Sequence, residues 1–200
     1  PSALKLLGVQ EMAVILSAAS SLTWFAEVTG TTEAALLAQV GDGFDRPGEV
    51  VFHPFLDGER TPYNDPALRG GFSGLSRAHS RRDLTRAVLE GVAFAFADCL
   101  DVLEEAGGPI SQLDVVGGGA RSQVWIRILA DCLGRPLSPV QDADAVAALG
   151  AARLGRLAAT GETVEEVCKP PPQQDLVRPD PDMTAAYAEK RRLYRARVGR

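Results

Sequence analysis

Between Leu113 and Trp125 the sequence reads LDVVGGGARSQVW. Four strand-forming residues meet three consecutive glycines, and Ser122 then caps a helix that carries Trp125, Ile128, Leu129 and Cys132 on one face. A strand that turns through bare glycines into a helix restricts the chain to folds that stack helices on a sheet. It also suggests a chemistry, because backbone N–H groups without Cβ neighbours can approach an anion at the positive end of a helix. Phosphate is the natural ligand of such a loop. Taken alone, the three glycines serve a tight turn equally well. Spacing excludes two better-known phosphate loops: neither GxGxxG nor GxxxxGK[ST] occurs, and no lysine lies between Lys5 and Lys169. Arg121 suits either a phosphate contact or a solvated first turn.

The rest of the chain continues the alternation. Met12, Ile15, Leu16, Ala19, Leu22 and Phe25 recur at spacings of three and four, which predicts a helix over about 11–28 stopped by Gly30. Thr31 or Thr32 caps a second helix to about residue 40, with Glu33 favourably placed in its first turn. Strands are expected at 50–56 and 72–75, separated by DGERTPYNDPALRGG, which is too rich in turn residues to be an element. Ser80 opens the longest helix, about 81–106, with Asp83 in its first turn and Gly107–Gly108 at its end. Residues 136–140 read as a short edge strand. An Ala-rich helix over 143–160, ended by Gly161, has small residues suited to close packing on a sheet. Cys168-Lys-Pro-Pro-Pro opens a semi-rigid linker over 168–182, and a terminal helix follows over 183–198 with Tyr187 and Tyr194 among basic residues. No internal repeat is present, and the order of elements places the chain, 1–200, in the α/β class.

Composition narrows the function. Twenty-one Lys and Arg against 26 Asp and Glu give a net charge of −5, so no basic field draws the chain to nucleic acid or to an anionic membrane. Three cysteines without CxxC or Cys/His spacing argue against a disulfide framework or a zinc site and fit a reducing cytoplasm. No run of 18 apolar residues exists, and the first twenty residues lack a basic n-region. Beginning at Pro1, the chain reads as a fragment of a longer protein. The loop Gly58-Glu59-Arg60-Thr61-Pro62 follows a strand, where α/β folds place ligands. Its Glu and Arg suit orientation of a phosphate or a plain ion pair. Asp142 and Asp144 read as loop and N-cap residues rather than a carboxylate dyad. His53 and His79 have no Ser or Cys motif beside them, so a nucleophile triad has no support. Trp24, Trp125, Phe94 and Phe96 sit at core spacing.

Five segments carry a resemblance: LSAASSLTWF at 16–25, FLDGERTPYNDP at 55–66, AVLEGVAFAFAD at 87–98, GGGARSQVWIRILADCLGRP at 117–136 and ALGAARLG at 148–155. In this order and at these separations they resemble the C-terminal domain of the FGGY carbohydrate kinases, from about residue 8 to the terminal helix. The resemblance implies a ribonuclease-H-like, actin/hexokinase-like ATPase C-terminal lobe, here without its first strands. It implies transfer of phosphate from ATP, with Mg²⁺, to a ketopentose, the sugar being bound by an N-terminal lobe. Gly118, Gly119 and Ala120 would pass near the nucleotide phosphates, Ser122 and Gln123 near the adenosine, and Ala19 and Thr23 would line the opposite wall. Relatives carry an amide at the Thr23 position or an Asn near Gln123, and this chain departs from both. No catalytic residue and no metal ligand is expected within 1–200, because the family's catalytic Asp precedes the lobe's first strands. An incomplete sheet would leave a strand edge open to pairing, which implies a homodimer. The other readings are an FGGY kinase acting on ribulose, gluconate or glycerol, and a noncatalytic scaffold that uses its basic Tyr/Arg tail as a contact surface.

Overall fold

The computed structural model describes residues 11–41, 44–142, 145–170 and 172–198. In chain order the elements are helices α1 (Ser20–Val28) and α2 (Glu33–Val40), strands β1 (Val51–His53) and β2 (Gly71–Ser73), and the long helix α3 (Arg81–Gly107). Strand β3 (Leu113–Val115), a 3₁₀ turn (Gly118–Arg121), helix α4 (Gln123–Leu133) and strand β4 (Leu137–Pro139) follow. Helices α5 (Val146–Thr160), α6 (Val164–Val167) and α7 (Pro181–Ala196) complete the described chain.

Helix α3 is the axis of the core. Its Ala87, Val88, Leu89, Val92, Ala93 and Phe94 are buried, and Gly91 lets β1 approach, since a Cβ there would collide with the Phe52 carbonyl. The helix starts where the sequence implies, with the Asp83 carboxylate accepting from the Ser80 N–H at 2.8 Å. Around β1, Phe52 packs on Phe72 with centroids 4.7 Å apart and on Trp24 at 6.1 Å. β1 pairs antiparallel with β2, whereas β3 and β4 pair in parallel, Leu113 beside Leu137, with α4 as the crossover. Both strand pairs are shorter than expected. Pro54 follows β1 directly and removes a ladder donor.

Three further expectations are corrected. The helix expected from residue 11 begins only at Ser20. Before it, the Thr61 N–H donates to the Val14 carbonyl at 3.0 Å, the Val14 N–H donates to Thr61 Oγ1 at 3.1 Å, and Leu16 donates to Glu59. Those backbone groups are already bonded to a distant loop, so helical spacing of the apolar residues does not prevail. The Ala-rich helix begins at Val146 and has no buried residue, with Leu154 69% exposed, so its small residues pack on no sheet among the described residues. Its N-cap is Ala145, bonded to the Asp142 carbonyl, rather than an Asp; Asp144 lies outside the described residues. Finally, β4 is not an edge. Leu137 and Val177 exchange both backbone bonds at 2.9 Å, and Val140 is bridged to Gln173, so part of the stretch read as linker runs along β4.

The terminal helix is absorbed into the core. Tyr187 and Tyr194 are 1% and 0% exposed, and Lys190 donates to the Val50 carbonyl at 2.7 Å and pairs with the fully buried Glu90.

Candidate functional site

Strand β3 ends at Val115, and Gly117 then turns the chain with φ of 93°, in the left-handed region that favours glycine. The 3₁₀ turn follows, its Ala120 N–H bonded back to the Gly117 carbonyl and the Ser122 N–H to the Gly119 carbonyl. The Ser122 hydroxyl accepts from the Trp125 N–H at 3.3 Å and starts α4. The first N–H groups of such a turn have no acceptor inside it. At Gly119 a Cβ would come within 3.3 Å of the Trp125 ring, so the turn lies directly on the indole.

Across from this turn, α1 and α2 supply the second wall of a cavity of about 510 Å³. Ala19, Thr23, Gly118, Gly119 and Ser122 all line it, as do Leu22, Glu33, Leu37 and Trp125. Five of the seven expected residues therefore meet around one space. Ala120 is buried beneath the turn at 1% exposure, and Gln123 lines a separate cavity with Phe44, Arg127 and Asp131. The Thr23 hydroxyl donates to Glu33 and ties the two helices together. Trp125 is 5% exposed, and its Nε1 is buried without a hydrogen-bond partner. A buried donor left unmet costs free energy, which an acceptor bound in the cavity would recover. Glu33 and Trp125 carry sequence signals of helix start and core packing, and only the fold turns both toward the cavity.

The loop at Glu59 reaches this wall from behind. Glu59 is 2% exposed, and its Oε1 accepts from the Leu16 N–H at 3.1 Å and the Arg60 N–H at 2.8 Å. Asp57 accepts from the Ser17 hydroxyl at 3.1 Å. Residues 14–17 are thus fastened two residues before Ala19. Burial pushes the Glu59 carboxyl above its ordinary pKa, against the opposing pull of the two N–H donors. Its second oxygen is buried without a partner. Glu59 makes no ion pair with the side chain of Arg60, which is exposed. Among the described residues no group of three His, Cys, Asp or Glu could hold a metal ion, and no helix is long and apolar enough to cross a membrane.

Comparison with known proteins agrees with this architecture. The family model described as "FGGY family of carbohydrate kinases, C-terminal domain" matches residues 12–159. The chain is 41% identical over 186 residues to a protein named "Xylulose kinase" from Escherichia coli (strain K12), covering 92% of this chain and 38% of that protein. One similar solved structure is a "xyloylose kinase" from Brucella ovis, with TM-score 0.85 and 45% identity over 92% of this chain and 38% of the other. Another, the xylulose kinase from Rhodospirillum rubrum, gives TM-score 0.74 at 28% identity, with 92% and 38% covered. The chain therefore spans 38% of the length of these relatives, and its fold is that of a C-terminal lobe in the actin/hexokinase-like ATPase class. The chain belongs to the FGGY family of carbohydrate kinases, as a C-terminal domain of that family.

Proposed function

We propose that this chain is the nucleotide-binding lobe of an ATP-dependent sugar kinase that phosphorylates a ketopentose, D-xylulose to xylulose 5-phosphate. The observation that carries the reading is the meeting of Ala19, Thr23, Gly118, Gly119 and Ser122 around one cavity. The names of the relatives at 40–41% identity favour xylulose as the sugar. In this reaction the sugar hydroxyl attacks the γ-phosphorus, the bond to the β–γ bridging oxygen breaks to release ADP, and a base takes the hydroxyl proton. Residues of this chain bind and orient the donor. The N–H groups of Gly118 and Gly119 face the phosphates, Trp125 Nε1 supplies a buried donor, and Ala19 and Leu22 press on an apolar part of the nucleotide. Mg²⁺ carried in with the nucleotide would supply neutralisation of the phosphate charge.

The scaffold reading is weakened, because the tail tyrosines and Lys190 are used inside the fold and leave exposed arginines such as Arg192 as its contact surface. Self-association as a homodimer belongs to the same proposal: β3 has β4 on one side and no second strand among the described residues. A cytoplasmic setting fits three free cysteines.

Titration of the chain with ADP, followed by tryptophan fluorescence, tests the site. Trp125 in the wall should give a saturable change that the variant Trp125→Phe loses. No saturable binding at millimolar ADP would overturn the reading.

A further inference from the structure

The cavity wall made by α1 packs on the core through Leu22, Phe25 and Ala26, but the end of the helix that meets the cavity has no side-chain cap. Its N-cap is Ala19, and residues 14, 16 and 17 bond to the loop that contains Asp57, Glu59 and Thr61. What holds that loop is a second, separate set of contacts. Tyr63 Oη donates to Asp98 Oδ2 on α3 at 2.8 Å, and the Cys99 thiol donates weakly to the Thr61 carbonyl at 3.7 Å. Asp98 is 1% exposed. Its other oxygen accepts from Arg191 at 2.6 and 3.0 Å and from Arg195 at 2.7 Å, both on α7. The same arginines also hold Asp101, at 2.9 and 2.6 Å. A carboxylate this deeply buried would be costly alone, and two guanidiniums and a phenol complete its bonding.

We propose that Asp98 and Tyr63 are positioning residues for the nucleotide cavity. The proposal rests on the nucleotide reading above only for the ligand, and concerns how the α1 wall is fixed. The two arginines of the terminal helix hold one Asp98 oxygen in a single orientation. That leaves the other oxygen aimed at Tyr63, and the phenol pins the loop 57–66. The loop then fastens residues 14–17 through Thr61 and Glu59, and so sets where Ala19 and Thr23 stand against the glycine turn. The chain of contacts is unbroken from α7 to the cavity, each link being a hydrogen bond at 3.1 Å or less apart from the thiol contact, which is auxiliary. It gives the basic terminal helix a task that its composition alone does not suggest.

The test is local hydrogen exchange on the 200-residue chain, with and without ADP, in wild type and in Tyr63→Phe, which removes one hydroxyl and leaves Asp98 with both arginines. Thr61→Val, which removes the acceptor of the Val14 N–H, is the second variant. Both should raise exchange in peptides covering residues 14–23 by roughly tenfold, leave α5 peptides unchanged, and weaken ADP binding about three- to tenfold with little change in the melting temperature. Unchanged exchange at 14–23, or an equal rise throughout the chain, would overturn the proposal. ADP binding decides the other reading separately: if wild type takes no ADP while Tyr63→Phe still loosens 14–23, the nucleotide assignment fails and the positioning of the wall stands.

Discussion

Gly119 and Glu59 show how a single residue here acts through its neighbours. A side chain at Gly119 would press on the Trp125 ring, which is itself a wall of the cavity. The variant Gly119→Val should therefore lower ADP affinity at least about tenfold through a displaced indole and blocked backbone, while circular dichroism stays native. Unaltered ADP affinity would remove the glycine turn from the site. Glu59 gives a pH test. Burial raises its pKa in the folded state, so the folded chain binds that proton more tightly than the unfolded chain does. Its contribution to stability is present in full below the unfolded value and is lost as pH rises through the folded value. Glu59→Gln has no such proton to lose. The melting temperature of wild type relative to this variant should fall as pH rises above the ordinary glutamate range, and a difference that is constant with pH would contradict the assignment. Neither effect was legible in the sequence. The motif GERTP announced a functional loop, but only the fold reveals that Glu59 grips backbone N–H groups, those of Leu16 and Arg60.

At the scale of elements, what could be read depended on the range of the deciding contact. The starts of α2, α3 and α4 followed from Thr32, Ser80 with Asp83, and Ser122, because a cap is settled within three residues. The stretch 11–19 was misread because its partners lie more than forty residues away. The tail was misread for the same reason: Gln173 and Val177 lie along β4, and α7 packs through Tyr187 and Lys190 onto Glu90. The sequence shows α7 as a helix with tyrosines among basic residues, yet its individual charges are worth very different amounts. Lys190→Ala would leave Glu90, fully buried, with Arg86 and Tyr187 but without its ammonium partner. The expected loss is about 3–5 kcal/mol, or a melting temperature lower by about 10 °C for a chain of this size. Arg192→Ala removes an exposed pair with Glu189 and should cost less than about 0.5 kcal/mol. Thermal denaturation of the two variants side by side checks the contrast, and equal losses would show that α7 is not docked through Glu90.

For the molecule as a whole, the decisive fact is that the chain spans 38% of the length of the relatives it matches. The family, and five of the residues that meet around the cavity, were legible because glycine spacing and helix order survive in a single lobe. The sugar was not, because by the family resemblance its contacts and the catalytic Asp lie in the part of the relatives that this chain does not span. Assayed alone with ATP, Mg²⁺ and xylulose, these 200 residues should transfer no phosphate above background. A positioned general base contributes about 10²- to 10⁴-fold, and alignment of the acceptor contributes up to about 7–11 kcal/mol. Neither is supplied by the groups around Ala19, Thr23 and Gly119. Binding of ADP should survive, though weakly, since closure of a second lobe is what excludes water and completes the phosphate contacts. ADP release measured with and without xylulose distinguishes the outcomes. Sugar-independent, background release accompanied by measurable ADP binding is the expected result. Turnover that rises with xylulose to about 1–100 s⁻¹, the range of ordinary kinases, would place a catalytic carboxylate inside this chain. Asp57, which accepts from Ser17 behind the cavity wall, would then be the first to replace by Asn, followed by Asp142.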